Sequence, residues 1–372
     1  MHAGISFAFV PATAKTPPTW MINTIGRIRN ALSTASRSAV PANIALLEIS
    51  QGAWLTQALY AAAQLGIADE LRDRPRSSAD IASAVGADPG ATYRLMRALA
   101  ANGLLKLHRD GRFSLTRVGQ ALRSDYDGSM APMIKLIGHP SHWEHWGNLL
   151  YSVKTGESGA EKLRGMPVFD YLDTDPEYAK VFNDAMTGVS AMAIEAAVPA
   201  YTFSGHKLIV DVGGGHGALL AAVLATAPGA RGVLFDLPSV IAGAGPELDR
   251  AGVSDRCTKT GGSFFEAVPE GGDAYLMKTI IHDWDDEKSL TILRNIRTVI
   301  APNGKLLLFE LVLPEGAPSH PGMLLDLEML VHPGGCERTP SEYRDLLARA
   351  GFRMTRVIGT AGPMSIVEAV PA

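Results

Sequence analysis

The stretch Leu208–Pro238, "LIVDVGGGHGALLAAVLATAPGARGVLFDLP", settles the architecture. An apolar run from Leu208 to Val212 opens into a glycine-rich loop. An apolar helical segment comes next, and after the "APGA" turn a second apolar run ends at Asp236. Strand, loop, helix and strand in that order form the βαβ unit of a nucleotide-handling parallel sheet. Glycines let the backbone come close to a ligand and turn tightly into the helix. Gly213, Gly215 and Ala218 satisfy G-x-G-x-x-A, so the loop alone also admits a dinucleotide. Asp236 closes the second strand, where a carboxylate can accept both hydroxyls of a ribose. Asp211 is the discriminating residue. A carboxylate ending the first strand would oppose a pyrophosphate and suits a ligand with a cationic amino-acid end. The ammonium and sulfonium of S-adenosylmethionine supply such charge.

Beyond this unit, "GGDAYLMKTIIHDWDDEKSLTILRNIRTVIAPNGKLLLFELVLPEG" predicts a strand to about Thr279 and a polar loop at His282. A helix then carries Leu290, Leu293, Ile296 and Ile300 on one face, before a further strand. Ligands of open parallel sheets sit beyond the carboxyl ends of the strands. His282 follows one such end, Glu310 lies at another, and the Asp211 loop marks a third.

Upstream, "NIALLEISQGAWLTQALYAAAQLGIADEL" predicts a helix closing at Gly66. Its apolar surface (Leu46, Ile49, Trp54, Leu59, Ala63) is too broad for a solvent-facing helix and predicts burial against a second chain. Two short helices meeting at "GADPG", a third from Thr92 to Ala101 and a hairpin around Asp110-Gly111 make a winged-helix layout. The segment Ser77–Arg123 is locally basic, with seven Lys or Arg against three Asp. From about Gly128 to Ala200 the chain reads as helical. The organisation is thus an N-terminal extension (1–40, expected to be loose), a winged-helix dimerisation domain (41–125), a helical linker contributing to an acceptor pocket (126–200) and an α/β sheet domain (201–372).

The totals bound the rest. A net charge of -4 over 372 residues gives no electrostatic case for nucleic acid or an anionic membrane. The two cysteines, Cys257 and Cys336, cannot build a disulfide framework, which suits a reducing cytoplasm. No apolar run is long enough to cross a membrane. The N-terminus carries an apolar patch without a basic leader before it, so no secretory signal is expected. The acids and histidines show no close ligand spacing of the H-x-x-x-H kind, so no metal is expected.

From Pro41 to Ala372 the sequence resembles the small-molecule O-methyltransferases of the caffeate, hydroxyindole and bacterial natural-product type. Four segments in order carry the resemblance: "DVGGGHG", "MKTIIHDWDDEKSLTILRN", "FELVLP" and "DLEMLVHPGGCERTPSEYRDLLARAGF". It implies a Rossmann-like domain with a mostly parallel, seven-stranded sheet and a winged-helix region that builds an intertwined homodimer. It implies S-adenosylmethionine as cofactor and His282 as general base, flanked by Glu310 and Glu337. Gly213, Gly215, Asp236, Phe264 and Lys278 match cofactor contacts, with Ser190 near the methionine part. Phe182, Met186, Asp283 and Met329 match positions lining the acceptor pocket, to which His332 adds a polar contact. The sequence departs from the family pattern at Ser263, where an aspartate is common; its hydroxyl can still bond an adenine amino group. It departs also at Thr279, often aromatic, and at Cys336, often basic.

An unperturbed imidazole (pKa about 6.5) is far better matched to a phenol (about 10) than to an aliphatic alcohol, so an aromatic hydroxyl is the expected acceptor. Three other readings compete. One is a same-fold enzyme that decarboxylates or hydroxylates a polyketide, which would not require His282, Glu310 and Glu337. The second is a winged-helix DNA-binding regulator with a metabolite-sensing domain, resting on Arg94, Arg97, Arg109 and Arg112. The third, a nicotinamide oxidoreductase, is opposed by Asp211.

Overall fold

The structure is a computed structural model and describes residues 19–316 and 322–372. The segment 1–18, on which the leader and much of the extension reading rest, lies outside the described residues. From Thr19 onward the extension is not loose: Thr19–Ser38 is a 20-residue helix, with Ile28 and Leu32 one turn apart and exposed. The long helix expected after Pro41 is two, Ala42–Ser50 and Gly52–Gln64, closed by Gly66 in the left-handed conformation. Leu46, Ile49 and Trp54 are 68%, 53% and 71% exposed, so their apolar faces find no cover among the described residues.

The winged-helix layout is present with one boundary moved. "GADPG" separates only two helices, Ser78–Val85 and Pro89–Ala101. Gly86 ends the first; Asp88 caps the second, its carboxylate accepting from the Ala91 N–H at 2.7 Å, with Pro89 at the first helical position. Strands β1 (Leu105–Leu107) and β2 (Phe113–Leu115) then pair antiparallel across Asp110-Gly111. Of the arginines in this module, Arg112 is ion-paired with Asp110 and Arg97 lies over the Tyr93 ring.

Six helices between Ala131 and Ala197 lead to the sheet, the last being Pro176–Ala197. The sheet contains β3 (Leu208–Val212), β4 (Arg231–Asp236), β5 (Cys257–Gly261), β6 (Ala274–Lys278), β7 (Lys305–Glu310), β8 (Phe352–Gly359) and β9 (Ser365–Pro371). Their order is β5-β4-β3-β6-β7-β9-β8, parallel except for β9, which runs antiparallel to both its neighbours. The order reverses beside β3, whose two neighbours are β4 and β6. That reversal opens a crevice at the carboxyl ends of these strands. β3 and β6 are almost wholly buried, as strands covered by helices on both faces must be. Helix Asp286–Val299 buries Leu290, Leu293 and Ile296 against one face, and helix Ala218–Thr226 covers the other.

Candidate active site

Three parallel strands deliver acids to the crevice, each in a different state. Asp211, in β3, is 1% exposed, and neither carboxylate oxygen has a partner. Burial pushes its pKa up to about 7 against the opposing pull of Lys278 and of the Leu220 backbone N–H nearby. The glycine loop lies directly over it. A Cβ on Gly214 would stand 2.7 Å from the Asp211 carboxylate, and one on Gly213, at φ 69°, would strike Ile280. Asp236, ending β4, is by contrast fully engaged with backbone: one oxygen accepts from the Gly215 N–H and the other from the Leu237 N–H, both at 2.7 Å. Each oxygen has capacity to accept one bond more, and the residue is half-buried.

Phe264 stands across the loop, its ring edge 3.5 Å from where a Gly213 Cβ would be, and its carbonyl accepts from Asn295. Ser263 turns its hydroxyl oxygen to the Phe265 N–H at 3.3 Å, leaving the hydroxyl hydrogen free to donate. Lys278, at the end of β6, is largely buried and its pKa is lowered by desolvation, with Asp211, Glu310 and Asp283 opposing. The next residue, Thr279, has φ 52°, a strained value for a β-branched residue. It turns the chain out of the strand into the His282 loop, a short helical turn over Ile281–Asp283. Among the described non-glycine residues it alone has a positive φ.

That loop is clamped from two sides. Glu310 Oε1 accepts from the Ile280 and Ile281 N–H groups, at 3.2 and 2.9 Å. Behind it, Arg338 donates to the Ile281 and Trp284 carbonyls, and Cys336 donates its N–H to the His282 carbonyl. A Cβ on Gly335 would lie 2.0 Å from that carbonyl, so only glycine lets the segment before Glu337 press in so closely. The outcome is a histidine among three acids. His282 Nδ1 donates to Glu337 Oε1 at 2.8 Å and stands 4.0 Å from Glu310 Oε2; Nε2 lies 3.4 Å from Asp283 Oδ1. Burial disfavours the imidazolium, but Asp283, Glu310 and Glu337 outweigh it and carry the His282 pKa up to about 10. Burial raises Glu310 to about 7 and Asp283 to about 6, with His282 pulling each back.

The acceptor-side residues are arranged less uniformly. Phe182, Met186 and Ser190 succeed one another at i, i+4 spacing along helix Pro176–Ala197 and share a face. Met329 is buried in helix Gly322–Val331. His332 is not a free polar contact: its Nε2 is 2.6 Å from His145 Nδ1 and its Nδ1 is 3.0 Å from Glu328 Oε1. A close spacing of acid and histidine is nevertheless present. His142, Glu328 and His332 bring ligand atoms within 4.8 Å of one another, and Glu328-x-x-x-His332 is helical i, i+4 spacing.

An orphaned acid under a glycine loop fits a ligand that brings its own positive charge, and this crevice therefore defines a nucleoside-binding, Rossmann-like transferase. The chain belongs to the O-methyltransferase family: the O-methyltransferase domain matches residues 146–353 and the O-methyltransferase dimerisation domain residues 47–125. It is 44% identical to a phenazine O-methyltransferase of Lysobacter antibioticus over 333 residues, 90% of this chain and 97% of that one. It superposes with a TM-score of 0.80 on a methyltransferase of calicheamicin biosynthesis with S-adenosylhomocysteine bound, at 36% identity, covering 89% of this chain and 98% of the other. A third match is an O-methyltransferase of neocarzinostatin biosynthesis in complex with S-adenosylmethionine and 2-hydroxy-5-methyl naphthoic acid. There the TM-score is 0.74 at 30% identity, with 86% and 96% covered. The protein is an S-adenosylmethionine-dependent O-methyltransferase.

Proposed function

We propose that the protein methylates a phenolic hydroxyl of a flat aromatic metabolite, with His282 as general base. The observation that carries this reading is the histidine held among three carboxylates at the mouth of the glycine-loop crevice. The matching enzymes named for phenazine and crystallised with a hydroxynaphthoic acid act on or bind fused aromatic rings, which supports the same acceptor class here.

Gly213 and Gly215 would receive the cofactor's amino-acid end above Asp211, Asp236 would take the ribose hydroxyls, and Phe264 with Ser263 would flank the adenine. Lys278 and Ser190 would complete the methionine end. When bound, the cofactor supplies an electrophilic methyl group on a cationic sulfur. Everything else falls to the chain. Glu337 accepts the Nδ1 hydrogen of His282, which leaves Nε2 as the basic nitrogen. With an ordinary imidazole, taking the proton from a phenol would be uphill by roughly 3.5 pH units, about 5 kcal/mol. The acids around His282 raise its basicity and narrow that gap, and the neutral imidazole that takes the proton becomes more populated as pH rises. Glu310 fixes the loop through two backbone N–H groups, and so places the imidazole. Alignment of the acceptor oxygen by the Phe182, Met186, Asp283 and Met329 wall then supplies roughly 7–11 kcal/mol of the barrier.

The exposed apolar helices between Ala42 and Gln64 fall within or beside the dimerisation-domain match and support a homodimer built through residues 41–125. Residues 126–200 would form the acceptor wall, and residues 201–372 the cofactor domain. Turnover of a panel of fused-ring phenols tests this reading, together with the mass of the protein in solution. Methylation of phenols by the wild type and a kcat about 10²–10⁴ lower in His282→Ala is the expected result. Equal turnover by both would overturn the base assignment.

A further inference from the structure

The face of helix Pro176–Ala197 that carries Ser190, Met186 and Phe182 continues one turn further, to the fully buried Tyr178. Ser190 and Tyr178 are separated by about 18 Å of helix. If the cofactor lies at the Ser190 end and the acceptor along Met186 and Phe182, Tyr178 marks the pocket's far end. There the Tyr178 hydroxyl is 3.4 Å from both His142 Nδ1 and His332 Nε2, in a cluster built around Glu328, the residue before Met329.

The hydrogen positions in this cluster are fixed by an arginine. Arg164 Nε donates to His145 Nε2 at 3.0 Å, so the hydrogen of neutral His145 must sit on Nδ1. His145 is held neutral by burial, by His332 and by Arg164, its pKa lowered to about 3. His145 Nδ1 therefore donates to His332 Nε2 at 2.6 Å, and His332 Nδ1 donates to Glu328 Oε1 at 3.0 Å. The chain runs one way and ends on the carboxylate. This arrangement argues against a metal: an ion on His332 Nδ1 would need the lone pair that the chain has replaced by a hydrogen.

Glu328 also accepts from Trp146 Nε1 at 2.5 Å and stands 3.4 Å from His142 Nε2. Burial disfavours its charged form, but the hydrogen bonds from His142 and His332 prevail and hold its pKa well below the usual carboxylate range. Among the described residues no lysine or arginine pairs with it, and Arg164 is already paired with Glu144 at 2.6 Å. Its side chain is 18% exposed, against 4% and 6% for those of His142 and His332.

Resting on the acceptor reading above, we infer that Glu328 is an acceptor-recognition residue: the pocket's far end selects aromatic substrates bearing an N–H or amine donor remote from the hydroxyl that is methylated. A carboxylate has about four lone-pair sites, and three protein donors leave room for one more. A plain hydrocarbon edge at that place would leave the carboxylate partly desolvated without compensation.

The test is calorimetric titration of the S-adenosylhomocysteine-loaded full chain with pairs of fused-ring phenols that differ only in an amine or ring N–H replacing a methyl or C–H. The nitrogen-bearing member should bind at least about tenfold more tightly. Glu328→Gln should remove that preference and lower the melting temperature, because three donors lose their anion, while leaving S-adenosylhomocysteine affinity near wild type. Equal binding of both members by the wild type would overturn the inference. So would an equal loss of both in Glu328→Gln, or one equivalent of zinc bound by the wild type and lost in the variant. Turnover is a separate readout: pairs that bind with the expected preference but are not methylated would refute the phenol reading and leave the recognition role of Glu328 standing.

Discussion

Two buried clusters in this chain are made from the same side chains in inverse proportion. Around His282, one imidazole is surrounded by Asp283, Glu310 and Glu337; around Glu328, one carboxylate is met by His142, His332 and Trp146, with His145 behind His332. In the first, acids crowd one another and lift the imidazole's affinity for a proton. In the second, the donors converge on the acid and strip it of any proton it would keep in isolation. The minority residue in each cluster holds the extreme property, the strongest base in one and the strongest acid in the other. Burial alone would have neutralised both.

The largest test of this contrast removes the base. His282→Ala should lower kcat by about 10²–10⁴ while S-adenosylhomocysteine affinity, measured calorimetrically, changes by less than about threefold. A parallel loss of binding would make His282 a structural residue. Next comes Glu337→Gln, which keeps the shape and removes one anion. Activity that needs neutral His282 rises with pH through the histidine's pKa, on the alkaline side of an ordinary imidazole because that pKa is raised. The variant should shift this rising limb to lower pH and cost about 10–50-fold in kcat/KM; an unmoved limb would mean that Glu337 does not act through His282.

Asp211→Asn probes the orphaned acid. A carboxylate whose pKa is raised to about 7 in the folded chain burdens folding above that pH and not below about 4. The ligand-free variant should therefore gain on the order of 4 kcal/mol over wild type as pH rises through this window, read by denaturant unfolding. Its cofactor affinity should fall at the same time. The smallest effect belongs to Arg164→Lys, which removes the Nε donor that orients His145. We expect about 1 kcal/mol of lost stability and no change at the His282 pH limb.

The first cluster was largely readable in the sequence and the second was not, for a physical reason. A parallel sheet forces its functional residues to the carboxyl ends of strands, so Asp211, Asp236, His282 and Glu310 announce themselves by their place after apolar runs. The Glu328 cluster draws on three helices, Pro140–Trp146, Pro176–Ala197 and Gly322–Val331, whose packing no local pattern encodes. Only Glu328-x-x-x-His332 offered a local signal. The strain at Thr279 was equally hidden, because a β-branched residue at φ 52° contradicts its own preference and is imposed by the turn from β6 into the His282 loop. The helix Thr19–Ser38 was missed for the opposite reason: its polar composition reads as unstructured despite the spacing of Ile28 and Leu32.

The hydrogen bond between His282 and Glu337 joins residues 55 positions apart, and β9, which comes after both in the chain, inserts between β7 and β8. At about 5–20 residues per second, roughly three to ten seconds of translation separate the histidine from its carboxylate. During that interval the emerging chain carries an ordinary imidazole on an unfinished sheet. The proposed base is thus one of the last features that synthesis can complete, and a ribosome stalled between the two codons would hold the glycine loop without a tuned histidine beside it.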